Sequence, residues 1–342
     1  MCTTPVLTLV LGAVLFAAAC GSGAEEDLPT PAVLTGGPET PRPAAAATEP
    51  PAAPTPGDTT PPEEETREPT IVSLDWLARS LSSPSLPADI ASPTPDPDLL
   101  AIILDSLAGV EGEHSVVVYH LSRGSFAALN DDHVYYGASL FKMALLLQAY
   151  RLRDAGELDF GELLELTEEY AAYNLGTLEY LGIAAGDMIS VADAVKAMIV
   201  ISDTPSAVLI QDKIGCPRAD SALRELGIEV TRTCDRSLPA TARDMAVLML
   251  AIAAGEGVSE QSRLEMLSLL QQEGFRSGVP AGLPPGVVVA HKTGSFSGAT
   301  HDVALVWGAS GPYIIAVLTN RSFDWQPIAD VSRAVWKYFE GS

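Results

Sequence analysis

The sequence predicts an α+β fold: an antiparallel sheet flanked by helices from both chain ends, beside an all-helical lobe. Two observations carry this expectation. Apolar runs joined by short turns, the mark of antiparallel strands, stand near both ends of the folded region, over 115–129 and 287–319. Between them, from Ser139 to about Ala254, apolar residues recur at helical spacing. Strands that flank a helical insertion give one sheet lobe and one helix lobe.

The elements follow in order. Residues 71–81 have helical spacing, cut off by a Pro/Ser stretch that runs to about Pro97. Asp96 or Asp98 can cap a helix over 99–108, with apolar residues at 99, 100, 103 and 107. Residues 115–121 and 125–129 read as strands joined by Ser122-Arg123-Gly124, a hairpin signal. Helices are expected over 140–155, 191–201, 205–214, 217–226, 242–253 and 259–273. Strands return at 287–290, 302–307 and 313–319, and a helix over 327–339 closes the chain. Tyr173 and Tyr180 read as core residues, with a cleft wall as the alternative.

Ahead of this domain the composition changes. Residues 21–70 hold 12 of the 26 prolines and ten acids against two bases, Arg42 and Arg67. Such a stretch cannot bury enough surface to offset the entropy of ordering, so a disordered, extended tether is expected. The expected organisation is a tether over 21–70, a linker with a short helix over 71–97, and one domain over 98–342. Within that domain the sheet lobe takes 98–130 and 275–342, and the helical lobe 131–274. The net charge of −24 repels phosphate backbones, which excludes nucleic acid as an expected partner.

Residues 5–19 form an apolar run too short for a comfortable membrane span and shaped like a secretory h-region. Ala17-Ala18-Ala19-Cys20 resembles a bacterial lipoprotein cleavage box, in which the cysteine is lipid-modified. No Lys or Arg precedes the run, and Ala17 stands where such boxes prefer Leu. A start codon assigned too late would explain the first departure. The expectation is a signal peptide over 1–20, export, and a lipid anchor at Cys20 on the outer face of the cytoplasmic membrane. Plain secretion is the alternative. In an oxidising compartment Cys216 and Cys234 can form a disulfide; two buried reduced thiols are the alternative. A monomer is the default expectation.

Three short strings carry the chemistry. Ser139 and Lys142, three residues apart at the start of an apolar helix, face the same way, so the amine can reach the hydroxyl. A serine is a poor nucleophile until a neighbour takes its proton, and a desolvated lysine can be that neighbour. Free backbone N–H groups in the first turn suit an oxyanion. Ser202-Asp203-Thr204 follows an apolar helix and precedes Pro205, a favoured first helical residue, so a turn there can project the Ser202 hydroxyl. Capping of the next helix is the plain alternative. Lys292-Thr293-Gly294 ends an apolar strand, offering a cation, a hydroxyl and, near Ser295, a further N–H.

On these strings the chain resembles the penicillin-recognising serine enzymes, specifically the class A β-lactamase-like group, over about residues 98–340. Residues 240–245 also resemble that family's helix entry after its active-site loop, and 301–307 its next strand. The resemblance implies a β-lactamase/transpeptidase-like fold. It implies Ser139 as the acylated nucleophile, Lys142 as proton acceptor and Ser202 as relay to the leaving nitrogen. Asp203, Thr204, Lys292, Thr293, Gly294 and Ser295 fall at substrate-binding positions. Lys292 and Thr293 would hold the substrate carboxylate, and the N–H groups of Ser139 and Ser295 the oxyanion.

Two departures stand out. Thr204 replaces the family's asparagine. The 90-residue spacing from Ser202 to Lys292 is short, and the loop around 233–242 lacks the glutamate that positions a deacylating water. Asp235 is the nearest carboxylate there and reads as structural.

The five histidines show no metal spacing and no C-x-x-C occurs, so no metal or cofactor is expected. Phe141 breaks a G-x-S-x-G elbow, which disfavours an α/β-hydrolase. The glycines of 294–298 open no helix, so no phosphate loop is read there. The expected function is hydrolysis of β-lactams or related cell-wall peptides through an acyl-enzyme at Ser139, with slow release. A D,D-peptidase-like enzyme on peptidoglycan stem peptides is one alternative. A non-catalytic penicillin-binding or wall-sensing lipoprotein is the other.

Overall fold

The computed structural model describes residues 71–72, 86–87 and 90–341. The apolar run, Cys20 and the tether over 21–70 lie outside the described residues. The chain enters through two short strands, β1 (Ile71–Val72) and β2 (Thr94–Pro95). Helix α1 (Pro97–Ser106) follows, capped by Asp96, which accepts from the Leu99 N–H at 3.1 Å. Next come the hairpin strands β3 (His114–His120) and β4 (Ser125–Leu129), then β5 (Tyr135–Tyr136). A 3-10 turn, Ala138–Leu140, leads directly into α2 (Phe141–Asp154). The helical part continues with β6 (Leu163–Glu165), α3 (Glu168–Ala171), α4 (Thr177–Leu181) and β7 (Met188–Ser190). It runs on through α5 (Val191–Val200), α6 (Thr204–Ile214), α7 (Cys216–Glu225), β8 (Pro239–Ala240), α8 (Ala242–Ala254) and α9 (Glu260–Gln271). Strands β9 (Val288–Phe296), β10 (Ala299–Gly308) and β11 (Gly311–Thr319) complete the sheet, and α10 (Gln326–Glu340) ends the fold.

The six-stranded sheet has the order β2-β4-β3-β11-β10-β9, antiparallel except for the β2–β4 pair. Its strands alternate between two cores. Val116, Val118, Ile315 and Val317 pack against Leu99 and Ile103 of α1 and Val331 and Val335 of α10. Val117, Tyr119, Ile314 and Ala316 face the opposite way, into the core shared with α2, α5 and α8. A strand buried on both faces reads as a continuous apolar run, which is why β3 is buried along its whole length. At the centre of the helical part lies α2, with eleven of its fourteen residues buried. A helix apolar on every side has to be surrounded, and this one holds its first turn in a fixed place.

Two expectations change. Ile71–Val72 is a strand, not the start of a helix over 71–81: it pairs in parallel with Met188–Ile189, adding to the small sheet β1-β7-β6. Residues 73–81 lie outside the described residues. Two β-branched residues favour an extended backbone once a partner edge is present, and that pairing overrides the helical spacing. Tyr173 and Tyr180 are exposed rather than core residues, because the short α3 and α4 lie at the surface.

The loop between α7 and β8 is short and pinned from three sides. Asp244 accepts from the N–H of Thr231 at 2.8 Å and Asp220 from that of Thr233 at 2.6 Å, while Cys216 and Cys234 form a disulfide. The pinned loop delivers β8, which pairs with β5 just ahead of the Ala138–Leu140 turn. His301 ties the sheet to the same place. Its Nδ1 accepts from the Thr319 N–H at 3.2 Å, and its Nε2–H donates to the Tyr136 carbonyl at 2.9 Å. The Nδ1 bond requires the neutral ring, and burial pushes its pKa down to about 4.

Replacing both Cys216 and Cys234 by Ser is expected to cost about 3 kcal/mol in urea denaturation, from a cross-link spanning a loop of this size. Reduction of the unfolded chain should add the mass of two hydrogens. For His301, the unfolded chain takes up a proton below its ordinary pKa of 6.5 that the folded state refuses down to about 4. Stability present above pH 6.5 is therefore lost as the pH falls to about 4, by on the order of 3 kcal/mol from this residue. His301→Gln should make that acid-side slope shallower in pH-dependent melts.

Candidate active site

Ser139 sits in the 3-10 turn that opens α2, one residue after Ala138, whose φ is +47°. A left-handed backbone is costly for a residue with a Cβ and persists only when its surroundings hold it. Here the Gly137 N–H donates to the Leu238 carbonyl at 2.8 Å, and the Leu140 N–H to the Gly137 carbonyl at 3.0 Å. The edge strand β9 closes the other side. A Cβ on Gly294 would fall 2.7 Å from the Gly137 oxygen and 3.0 Å from Leu140 Cγ. Only glycine lets the strand bearing Lys292 lie this close to the turn bearing Ser139.

Lys142 is fully buried. Its Nζ lies 2.9 Å from Ser139 Oγ, 2.6 Å from the Ser202 carbonyl, 3.2 Å from Ser202 Oγ and 3.3 Å from Thr204 Oγ1. Burial pushes its pKa well below the usual lysine range, and the nearby Lys292 charge pushes the same way. Asp203 and Glu273 oppose this from farther off without reversing it. A lysine shifted this way gives up its proton more readily, and the free amine then carries a lone pair within reach of the Ser139 hydroxyl.

Ser202, at the turn between α5 and α6, also has a left-handed backbone, with φ +57°. Its neighbour Asp203 was expected at a substrate-binding position, and the structure corrects this. The Asp203 carboxylate is fully buried, one oxygen accepting from the Ser206 N–H at 2.7 Å and the other from the Thr177 hydroxyl. It caps α6 and fastens that helix to α4, which leaves Ser202 Oγ aimed between the two lysines. Thr204 keeps a contact to Lys142 through its hydroxyl, although it lacks an amide.

Lys292 Nζ donates to Ser202 Oγ at 3.1 Å, to Glu273 Oε1 at 3.0 Å and to the Thr293 carbonyl at 3.0 Å. Ser202 Oγ thus lies between the two amines. Thr293 and Gly294 are buried beside it, and Ser295 emerges half-buried at the mouth, followed by the exposed Phe296. Tyr136 and Phe296, both exposed, meet edge to face with ring centres 5.9 Å apart.

Glu273, His291 and Asp302 are the residues that sequence reasoning missed. All three are fully buried. Glu273 Oε1 accepts from Lys292 and from the Thr293 hydroxyl at 2.5 Å, while its Oε2 lies 3.2 Å from His291 Nδ1. His291 Nδ1 is 3.0 Å from Asp302 Oδ1, and Asp302 Oδ2 accepts from the Val279 N–H at 2.8 Å. Burial alone would lower the His291 pKa, but Asp302 and Glu273 outweigh it and leave it raised. One signal was available for Glu273. An acid just past the end of α9 faces the negative end of the helix dipole, so it needs a cation elsewhere.

Asp235 does not fill the role of a water-positioning carboxylate. It is exposed, and one oxygen accepts from both the N–H and the hydroxyl of Ser237, each at 2.8 Å. These bonds hold its pKa below the usual carboxylate range.

Residues 98–339 match the beta-lactamase enzyme family. The chain is 30% identical over 168 residues to beta-lactamase FAR-1 of Nocardia farcinica (strain IFM 10152), 43% of this chain and 54% of that protein. It thus spans about half the length of that relative. Among solved structures it is similar to PBP-A, with a TM-score of 0.69 and 26% identity over 74% of this chain and 100% of the other. It is likewise similar to an ancestral (GNCA) class A β-lactamase, with a TM-score of 0.63 and 25% identity over 70% of this chain and 100% of the other. A family match over residues 98–339, which takes in both the helical part and all but the first strand of the six-stranded sheet, makes the chain a member of the beta-lactamase enzyme family.

Proposed function

We propose that this protein is a serine hydrolase that forms an acyl-enzyme at Ser139 with β-lactams or related cell-wall peptides and releases it slowly. The observation that carries the reading is the buried Lys142 amine 2.9 Å from Ser139 Oγ. The neutral amine takes the hydroxyl proton as Oγ bonds to the carbonyl carbon of the amide. The backbone N–H groups of Ser139 and Ser295 stabilise the oxyanion. Collapse of the tetrahedral species breaks the C–N bond, and the proton passes from Lys142 through the Ser202 hydroxyl to the departing nitrogen. An ester on Ser139 remains, which water cleaves to the free acid. Lys292 holds Ser202 Oγ in place through a hydrogen bond at 3.1 Å, and Thr293 borders the substrate.

Slow release follows from the loop over 233–242. Its carboxylate, Asp235, is spent on Ser237, and a water at the ester then lacks a nearby base. This favours a D,D-peptidase-like enzyme on peptidoglycan stem peptides as the second reading. The similarity to PBP-A supports acylation by penicillins under either reading, since a mutant of that protein forms an acyl-enzyme complex with penicillin G. The same proposal takes the protein to be exported and lipid-anchored at Cys20.

Fluorescent penicillin should label wild-type protein at Ser139 by peptide mass mapping, and Ser139→Ala should lose the label entirely. An adduct elsewhere, or none, sinks the proposal. A chromogenic cephalosporin should give a single-turnover burst and then a slow steady rate; sustained fast turnover would mean that release is catalysed. The acylation rate should rise with pH as Lys142 loses its proton and level off well below the ordinary lysine value of 10.5. Lys142→Arg, which cannot become neutral, should slow labelling at least about a hundredfold.

A further inference from the structure

The donors assigned to a substrate carboxylate are already used by a carboxylate of the chain itself. An ammonium has three N–H groups, and Lys292 directs them at three acceptors: Ser202 Oγ, Glu273 Oε1 and the Thr293 carbonyl. The Thr293 hydroxyl has one proton and gives it to Glu273 Oε1 at 2.5 Å, while its backbone N–H reaches Oε2 at 3.2 Å. Neither residue has a donor left for an incoming anion.

Glu273 is held in this position. The segment after α9 is anchored by the Gly274 N–H on the Val200 carbonyl at 2.9 Å, and Oε2 also lies against His291. Displacing it by another carboxylate would leave the buried Glu273 without its cation and hydroxyl partners, which is unfavourable. Charge leads to the same result. The carboxylates of Glu273 and Asp302 lie within 3.2 Å of Lys292 and His291, so the anchor already holds its counter-charges.

Resting on the acyl-enzyme reading above, we propose that Glu273 is a specificity-determining residue, a built-in competitor for the substrate's carboxylate. The site then favours acyl donors that are uncharged at that position, as amides or esters, over those that carry a carboxylate there. A purely structural Glu273 would make no such distinction, and its loss would affect both kinds of donor alike.

The test compares benzylpenicillin with its methyl ester as acylating agents of the full chain, followed by intact mass. The wild-type protein should react with the ester at least as fast as with the acid. In Glu273→Gln the acid-to-ester rate ratio should rise about tenfold, the size of one freed charge-assisted hydrogen bond. A wild-type protein that prefers the acid tenfold, or a ratio unchanged in the variant, overturns the inference. The wild-type comparison stands even where the variant does not fold. Should neither compound mark Ser139, the acyl-enzyme reading fails, and Glu273 is judged separately by calorimetry of benzylpenicillin binding. Tighter binding to Ser139→Ala/Glu273→Gln than to Ser139→Ala supports the competitor role; equal or weaker binding overturns it.

Discussion

Two fully buried lysines share one hydroxyl, and the rest of the site follows from making that arrangement tolerable. Lys142 and Lys292 approach Ser202 Oγ at 3.2 and 3.1 Å. Two ammonium ions this close, both without water, would repel each other at a cost that no single hydrogen bond offsets. The protein separates their fates. Lys292 receives a buried carboxylate in direct contact, and Lys142 receives only neutral acceptors. Burial and the neighbouring Lys292 charge favour loss of the proton from Lys142. The base that the serine needs is thus produced by the arrangement of its neighbours.

Each larger element serves this separation. The buried α2 fixes the turn that carries Ser139 and Lys142. The edge strand β9 brings Lys292 in, and Gly294 sets how near it can come. Asp203 turns inward to cap α6, which leaves Ser202 in a left-handed turn with its hydroxyl between the amines. The pinned loop, β8 and His301 hold β5 behind Ala138. Strain at Ala138 and Ser202 is held by contacts made on both sides of the turn.

Much of this was readable in the sequence because it is encoded locally. Asp96, Ser190, Thr241 and Ser259 each cap the helix they precede, so those helices start within a residue or two of expectation. The three strings could be placed on helix, turn and strand from their flanks. What escaped was tertiary. β6 and β7 have three residues each, too few to show an alternating pattern. Asp203 carried two readings, cap or substrate contact, and only its partner Thr177 decides between them. Glu273 lies 19 residues from Lys292 in the chain and meets it across the edge of a sheet, which no spacing rule encodes.

The distances along the chain have a consequence for where the chemistry of this protein resides. Ser202 is 60 residues from Lys142, and Lys292 is 90 residues further on. The meeting of this hydroxyl with the two amines therefore rests on contacts between segments distant in sequence, which only the assembled domain provides. The serine and its near lysine taken alone have neither the burial nor the second charge that push the lysine's pKa down. The environment of Ser139 and Lys142 is thus a property of the assembled domain rather than of the local pair.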